Sequence, residues 1–265
     1  FVSDEHVQLV AEHAISQVTQ ARAHFRASHV DTAVSTTLKG YRFTTSDELA
    51  AAHTAVLDHA MTAIAVPLTP PEPLTLPTTL TATSGRGIDR PANSEKFTTH
   101  AVLDAETTVL DGAKNPVAVF ATEADLAAAE KAHEAAAGWS LNSGQHALAQ
   151  HLVTAGTLVA AGVGPAGTGK TASMTIVART WQTTGRKVIG LAPSAAAASV
   201  LSEDIDAPAH TIDSLTFTWR GLHPTEPGKT LAALPIEINP GDMLLVDEAG
   251  MASTENLAAL TEIAD

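Results

Sequence analysis

The sequence contains no cysteine, few aromatic residues and few basic residues. Without cysteine the chain forms no disulfide, no thiolate metal site and no thiol nucleophile, although this leaves its compartment open. Aromatic residues make up 4 % of the 265 residues, so a core must be built mainly from Ala, Val, Leu and Ile. Hydrophobic residues reach 45 %, which favours a folded chain over a disordered one. Lys and Arg number 15 against 29 Asp and Glu, so the formal net charge is −14.

Long hydrophobic runs are also missing. No apolar run approaches the roughly 18 residues that a membrane span requires. The first residues, Phe1 to Glu5, lack the basic and apolar regions of a signal peptide. We therefore expect a cytoplasmic protein without membrane insertion. Because the chain does not begin with Met and ends in what resembles an interrupted helix, we also expect it to be part of a longer protein.

The first half of the chain divides into two segments. Residues 1–66 predict a helical linker segment, with one amphipathic helix over 3–29 and a second that starts at the capping box Thr45–Glu48. Residues 67–137 begin as a Pro- and Thr-rich connector, in which 74–76 and 79–81 are candidates for a short strand pair. Helical patterns resume after Thr99 and lead into the third segment.

Residues 138–265 alternate between helical and strand patterns. We predict helices over 122–137, 142–155, 169–184 and 194–202, and strands over 157–163, 187–191 and 243–246. The strands are continuously apolar, which is typical of a parallel sheet covered by helices on both faces. This segment is therefore predicted to be an α/β domain.

A glycine-rich motif follows the first of these strands and precedes a predicted helix. Its residues are Gly164, Pro165, Ala166, Gly167, Thr168, Gly169, Lys170 and Thr171, which fit G-x-x-x-x-G-K-[ST]. The glycines let backbone N–H groups turn towards phosphate oxygens, and the helix adds the positive end of its dipole. Lys170 is then expected to reach the β- and γ-phosphates of ATP, and the Thr171 hydroxyl to bind Mg²⁺. The alternative is an ordinary glycine-rich turn.

Two acidic residues, Asp247 and Glu248, follow the predicted strand 243–246. A P-loop NTPase needs a metal-binding acid at the end of another strand. We expect Asp247 to hold Mg²⁺ through water and Glu248 to orient and deprotonate the attacking water. The alternative is a helix N-cap followed by a first-turn glutamate.

The motifs at 164–171, 191–198, 211–215 and 246–251 occur in an order that resembles the first RecA-like lobe of superfamily 1B, RecD-like DNA helicases. Within that group, residues 138–265 look most like the helicase part of bacterial conjugative relaxases of the MobF class. Residues 1–137 resemble, more loosely, the linker between relaxase and helicase in those proteins. The resemblance implies a RecA-like P-loop fold that binds and hydrolyses ATP with Mg²⁺ and acts on single-stranded DNA.

The resemblance also assigns roles to individual residues. Gln145 would bind the adenine edge, although a solvent-facing helix glutamine is the alternative. Ser194 and Thr211 would contact DNA phosphates, although both also suit helix N-capping. Phe217 and Trp219 would stack on bases, but we favour a core role for both.

The match to the relaxase–helicases is incomplete. Relaxase chemistry requires a tyrosine nucleophile and a His-x-His metal cluster, but the chain has one tyrosine, Tyr41, and no His-x-His. We therefore expect an upstream relaxase domain to be a partner. A second helicase lobe with the arginine that completes the ATP site, and a secretion-channel coupling protein, are expected partners as well.

Residues 138–265 contain six basic and twelve acidic side chains, whereas nucleic-acid surfaces are usually basic. This acidic balance leaves other functions open. One alternative is a P-loop ATPase of another class. Another is a non-catalytic module that recruits a relaxase to a secretion channel.

Overall fold

The structure is a computed structural model that describes residues 3–68, 94–118, 121–165, 167–221 and 236–265. The candidate strand pair at 74–76 and 79–81 and the P-loop residue Ala166 lie outside these residues. Two compact units are present, one of residues 1–106 with 253–255 and one of 107–252 with 256–265. Among the described residues, none of the helices combines the length and the hydrophobicity that a bilayer crossing requires.

The first unit is mainly helical. Its helices are α1 (Asp4–Ala21), α2 (Ala27–Leu38), α3 (Ser46–His59), a π-helical turn (Ala60–Ile64) and the start of α4 (His100–Gly112). Strand β1 (Ala65–Pro67) pairs antiparallel with β2 (Phe97–Thr99). One core cluster joins apolar side chains of α1, α2 and α3 with Phe25.

The predicted single helix over 3–29 is wrong, because α1 ends at Ala21. Phe25 instead exchanges two backbone hydrogen bonds with Phe97, each of 2.8 Å. The Thr98 hydroxyl donates to the Ala23 carbonyl at 2.8 Å. These bonds satisfy the backbone in an extended conformation, so the apolar side chain of Phe25 enters the core without continuing the helix. The predicted start of α3 is confirmed, since Thr45 Oγ1 accepts from the Glu48 N–H.

In its described residues the second unit holds a small sheet, five complete α-helices and most of a sixth, α10. The helices are α5 (Glu123–Ala137), α6 (Ser143–Thr154), α7 (Lys170–Thr183), α8 (Ala195–Ile205), α9 (Ile212–Trp219) and α10 (Thr254–Ala264). The strands are β3 (Val188–Ala192), β4 (Ala209–Thr211) and β5 (Met243–Val246). The predicted helix over 122–137 is confirmed, with Thr122 as N-cap and Gly138, at φ +75°, ending the helix.

The three strands lie in the order β4-β3-β5 and all pairs are parallel, as predicted. Alternate residues of the sheet belong to different core clusters. Val188 and Leu245 pack with α7 and α8, whereas Leu191 packs with Ile212 of α9 and Leu260 of α10. Helices therefore cover both faces of the sheet.

The predicted strand over 157–163 is wrong. The Leu158 N–H donates to the Asn115 carbonyl at 2.9 Å and the Val159 N–H to the Gly112 carbonyl at 3.1 Å. The N–H groups of this stretch therefore pair with carbonyls at and just after the end of α4. They are then not available for the hydrogen bonds that a strand beside β5 would have to make. The apolar side chain at its end, Val163, is 97 % exposed.

Candidate functional site

The glycine-rich motif forms a turn that leads directly into α7. Gly167 and Gly169 both have φ of +76°, the left-handed region that glycine adopts without strain. Thr168 Oγ1 donates to the Pro165 carbonyl at 2.8 Å, which closes the turn. Gly169 is the N-cap of α7 and supplies no side-chain cap. The first turn of α7 therefore presents N–H groups for which an anion is a suitable acceptor.

The side chain of Lys170 folds over this turn. Its Nζ donates to the carbonyl oxygens of Gly164 and Pro165, at 3.0 and 3.1 Å. Both acceptors are neutral, and within the described part of the chain no carboxylate lies within ion-pair distance of Nζ. The positive charge is thus uncompensated, and a phosphate group is a stronger acceptor than either carbonyl.

Gln145 lies against the same turn. Its Nε2 donates to the carbonyl of Thr168 at 3.1 Å and approaches that of Gly169 at 3.4 Å. Its Oε1 accepts from the Asn142 N–H at 3.0 Å, which completes a capping box on α6. The interpretation of Gln145 as a solvent-facing glutamine is therefore wrong. Sequence reasoning missed Ser173, a buried residue whose hydroxyl donates to the Gln145 carbonyl at 3.0 Å.

The direction of α7 places the motif at one edge of the sheet. Near the C-terminal end of α7, Trp181 Nε1 donates to the carbonyl of Gly241 at 2.9 Å, just before β5 begins. Helix α7 also packs against β3 and β5. It therefore runs opposite to the strands, and its N-terminus, with Lys170 and Thr171, faces the edge where the strands end. This is the edge at which ligands bind in parallel sheets.

Asp247 and Glu248 leave the sheet at this edge. The Asp247 N–H donates to the Leu191 carbonyl at 2.9 Å, which continues the ladder beyond β5. Glu248 has φ of +53°, which is uncommon for a residue with a side chain, and its N–H donates to Asp247 Oδ1 at 2.9 Å. Among the described residues, neither carboxylate forms an ion pair or a hydrogen bond with Lys170 or Thr171.

The donor set at this edge fits a magnesium ion. Mg²⁺ prefers oxygen ligands and keeps several waters. Thr171 contributes an exposed hydroxyl and Asp247 a half-buried carboxylate, of which Oδ2 has no described hydrogen bond. Across the described ranges, this edge included, no group of three or more imidazoles and carboxylates is placed to hold a metal.

Ser194 and Thr211 cap the two helices that begin beside this edge. Ser194 Oγ accepts from the Ala197 N–H at 3.2 Å, and Thr211 Oγ1 accepts from the Ser214 N–H at 3.1 Å. The register pairs Ala192 with Thr211, so both helices start at the ends of β3 and β4. The hydroxyls therefore have the capping role that the sequence left open.

A groove of about 560 Å³ lies between α8, β4 and α9. Polar residues that sequence reasoning missed line it beside Thr211, namely Ser199, Ser202, Glu203, His210 and Ser214. The spacing of Ser199 and Ser202 on one helix face was the available signal. Trp219, at the end of α9, is 56 % exposed, so its predicted core role is wrong.

A glycine turn that ends at a helix N-terminus, a lysine without an ion-pair partner among the described residues and an acid after a parallel strand are together the features of a P-loop NTPase. In agreement, residues 140–265 match the model of a family described as an AAA domain. The match supports a helicase-like P-loop NTPase, a class that generally uses ATP with Mg²⁺. No curated protein matches the chain significantly.

Proposed function

We propose that residues 138–265 are the ATP-binding and ATP-hydrolysing lobe of a DNA helicase or translocase that acts on single-stranded DNA. The observation that carries this proposal is the common edge of the sheet. The N-terminus of α7, the acids after β5 and the N-termini of α8 and α9 all face it. Nucleotide contacts and strand contacts would then be coupled through one set of loops.

In the nucleotide site, Lys170 leaves the carbonyls of Gly164 and Pro165 and binds the β- and γ-phosphates. Thr171 and, through water, Asp247 would hold Mg²⁺, which would supply neutralisation of the phosphate charge. Glu248 orients and deprotonates the attacking water. The Oε1 of Gln145 accepts one hydrogen bond in the structure, so its second lone pair is available to the amino group of adenine.

Single-stranded DNA would lie along the groove beside α8 and α9. Residues 138–265 are acidic overall, so strand contact depends on hydroxyls and backbone N–H groups more than on cations. Ser194 and Thr211 offer such groups at the helix N-termini, where the dipole favours a phosphate. Exposed Trp219 offers a face on which a base can stack.

We further propose that this lobe is RecD-like and belongs to a conjugative relaxase–helicase of the MobF class. The support is the order of the motifs from 164 to 251 together with the helical segment that precedes them. Its partners would be an upstream relaxase domain, a second helicase lobe and a secretion-channel coupling protein.

The proposal is tested by steady-state ATP hydrolysis of the parent protein with and without single-stranded DNA. We expect stimulation by DNA, complete loss of turnover in Lys170→Ala, and intact Mg-ATP binding without turnover in Glu248→Gln. Turnover that ignores DNA would instead indicate a P-loop ATPase of another class. Equal loss of binding and turnover in Glu248→Gln would contradict the role given to that carboxylate.

Strand contact by Ser194 can be separated from its capping role. Ser194→Ala removes the cap and is expected to cost about 1 kcal/mol of stability, while it also weakens DNA binding. Ser194→Asp keeps a good cap but places a negative charge near the phosphates, so we expect normal stability and weaker DNA binding. If Ser194→Asp binds DNA as well as the unmodified protein, the hydroxyl serves only as a cap.

A further inference from the structure

A positively charged surface flanks α2 in the first unit, although the chain as a whole is acidic. Every Lys and Arg of residues 3–68 lies just before or just after this helix, namely Arg22, Arg26, Lys39 and Arg42. All four residues are exposed. Residues 22–42 contain one acid, Asp31, so they carry a net charge of +3 in a chain of −14. We call these residues the α2 surface.

The cations of the α2 surface have no carboxylate partner. In the ranges that the structure describes, none of the four forms an ion pair. Asp31 is directed elsewhere, since its Oδ1 lies 3.4 Å from Nε2 of His53 on α3. Arg22 Nη1 instead lies 3.0 Å from His29 Nε2. Burial, and then the charges of Arg22 and Arg26, lower the pKa of His29, as a positive field at this end of the helix requires.

The backbone that carries Arg22 and Arg26 is fixed. Phe25 lies between them, and its side chain is 1 % exposed and stacks on Phe97 with ring centroids 6.4 Å apart. The backbone bonds between Phe25 and Phe97 anchor the same segment. Because the backbone is already ordered, an anion that binds these guanidinium groups has to order only their side chains.

The other end of the α2 surface presents an aromatic ring. Tyr41 is 49 % exposed and stands two residues after Lys39 and directly before Arg42. Its backbone N–H donates to the Leu38 carbonyl at 3.0 Å, but its hydroxyl has no hydrogen-bond partner among the described residues. An accessible ring between two cations suits a base that stacks while its phosphates meet the charges.

The spacing of the cations selects an extended anion. Arg26 and Lys39 are the residues that flank α2 at its two ends, about 20 Å apart along the helix axis. A single phosphate cannot span that distance, whereas a chain of phosphates can. The hydroxyls between them are already in use, because Thr32 and Thr36 each donate to a backbone carbonyl of α2 at 2.9 Å. Binding must therefore depend on the cations.

We propose that the α2 surface binds single-stranded DNA, with its four cations on phosphates and the ring of Tyr41 on a base. A polymer of phosphates with accessible bases matches both the spacing of the charges and the exposed ring. The choice of DNA as the strand rests on the proposed function. The surface itself belongs to the first unit, whereas the groove beside α8 and α9 belongs to the second.

The test is the fluorescence anisotropy of a labelled oligothymidine titrated with the full chain, without ATP, at several salt concentrations. The two double variants are Arg22→Gln/Arg26→Gln and Lys39→Gln/Arg42→Gln. Each removes two phosphate contacts, so the slope of log K against log salt should fall by about 1.4. A purely structural role would lower the affinity without changing this slope. Lys131→Gln removes an exposed cation of α5 and should leave the slope unchanged.

The role of Tyr41 has its own readout. Tyr41 is the only tyrosine, so incorporated fluorotyrosine gives one fluorine resonance, which should shift when oligothymidine saturates the chain. Tyr41→Leu should weaken binding about fivefold or more, whereas Tyr41→Phe keeps the ring and should bind normally. Asp31→Asn removes the one acid of the α2 surface and should tighten binding, which a loss of packing would not do.

The proposal is overturned if the two double variants and Lys131→Gln give the same salt slope, or if saturating oligothymidine leaves the fluorine resonance unmoved. Tighter binding of polyglutamate or of oligouridine would also overturn it, because the partner would then be an acidic peptide or RNA. Strand binding that is lost in Ser194→Asp but unaffected by both double variants refutes this proposal alone. Binding that depends on the four cations, combined with ATP turnover that ignores DNA, supports it and contradicts the proposed function.

Discussion

Gly169 is the position at which the structure makes its sharpest prediction about the P-loop. A Cβ added there would collide with Nε2 of Gln145, whereas a Cβ added at Gly167 would meet, apart from its chain neighbours, no atom of the described residues within 4 Å. Both glycines have the same φ of +76°. Gly167→Ala therefore measures the backbone cost alone, and Gly169→Ala measures that cost plus displacement of Gln145.

The magnitudes follow from these two contributions. An alanine forced into the left-handed region costs about 1–2 kcal/mol, which is the whole effect expected for Gly167→Ala. In Gly169→Ala the amide of Gln145 must also leave the carbonyls of Thr168 and Gly169, and a lost hydrogen bond costs about 1 kcal/mol more. We therefore expect Gly169→Ala to be the more destabilising variant by about 1 kcal/mol.

The assay is urea unfolding of five proteins: the unmodified chain, the two alanine variants, Gln145→Ala and the double variant Gln145→Ala/Gly169→Ala. In the Gln145→Ala background the collision is absent, so Gly169→Ala should cost no more than Gly167→Ala does. The reasoning is refuted if Gly169→Ala costs the same with and without the Gln145 side chain.

Three further predictions concern the second unit. Burial and, to a lesser extent, the nearby Arg179 guanidinium lower the pKa of His133 below its ordinary 6.5. On acidification the imidazole is therefore protonated in the unfolded chain before it is protonated in the folded one, so the free energy of unfolding should fall below about pH 6.5. Denaturant unfolding at several pH values should show a smaller fall in His133→Gln. Gly190→Ala places a Cβ against side chains of α8 and β4, so thermal unfolding should show a loss of about 1–3 kcal/mol. Asp242→Ala removes the acceptor of the Lys187 and Asn239 N–H groups, both at 2.9 Å, and denaturant unfolding should show a loss of about 2 kcal/mol.

Each of these has an outcome that contradicts it. An unchanged pH dependence in His133→Gln would mean that the imidazole titrates normally in the folded state. If Gly190→Ala left the stability unchanged, α8 would have to lie further from the sheet than described. Asp242→Asn keeps one acceptor oxygen, so its stability should lie between that of the alanine variant and that of the unmodified chain. Equal losses of stability in the two variants would show that the hydrogen bonds are not the cause.

Local signals in the sequence were enough to place most of the second unit. Two helices begin and one ends at the predicted positions: α5 runs from Thr122 to Gly138, and α6 starts at Asn142. These ends were predictable because capping depends on residues within about three positions of the helix end. The apolar run Met243–Val246 forms β5 at the predicted positions. Gly167 and Gly169 of the P-loop have a positive φ, which glycine adopts without strain.

Other features depend on partners far away in the sequence. The break between α1 and α2 arises from pairing of Phe25 with Phe97, which no local periodicity reveals. The stretch after Gly156 has the composition of a strand, but its N–H groups donate to the carbonyls of Asn115 and Gly112. Strand β4 is only three residues long, and it forms because its residues pair with β3. The contact of Gln145 with the P-loop likewise required the packing of α6 on α7.

The division into two units and the scarcity of aromatic residues make the protein optically asymmetric. The three tryptophans, Trp139, Trp181 and Trp219, all belong to the second unit, and the single tyrosine, Tyr41, belongs to the first. Trp181 reports on the contact of α7 with the residue before β5. Tryptophan emission therefore follows the nucleotide-binding unit alone, whereas far-ultraviolet dichroism sees the helices of both. A difference between the two unfolding curves would measure, without any label, how independently the units melt.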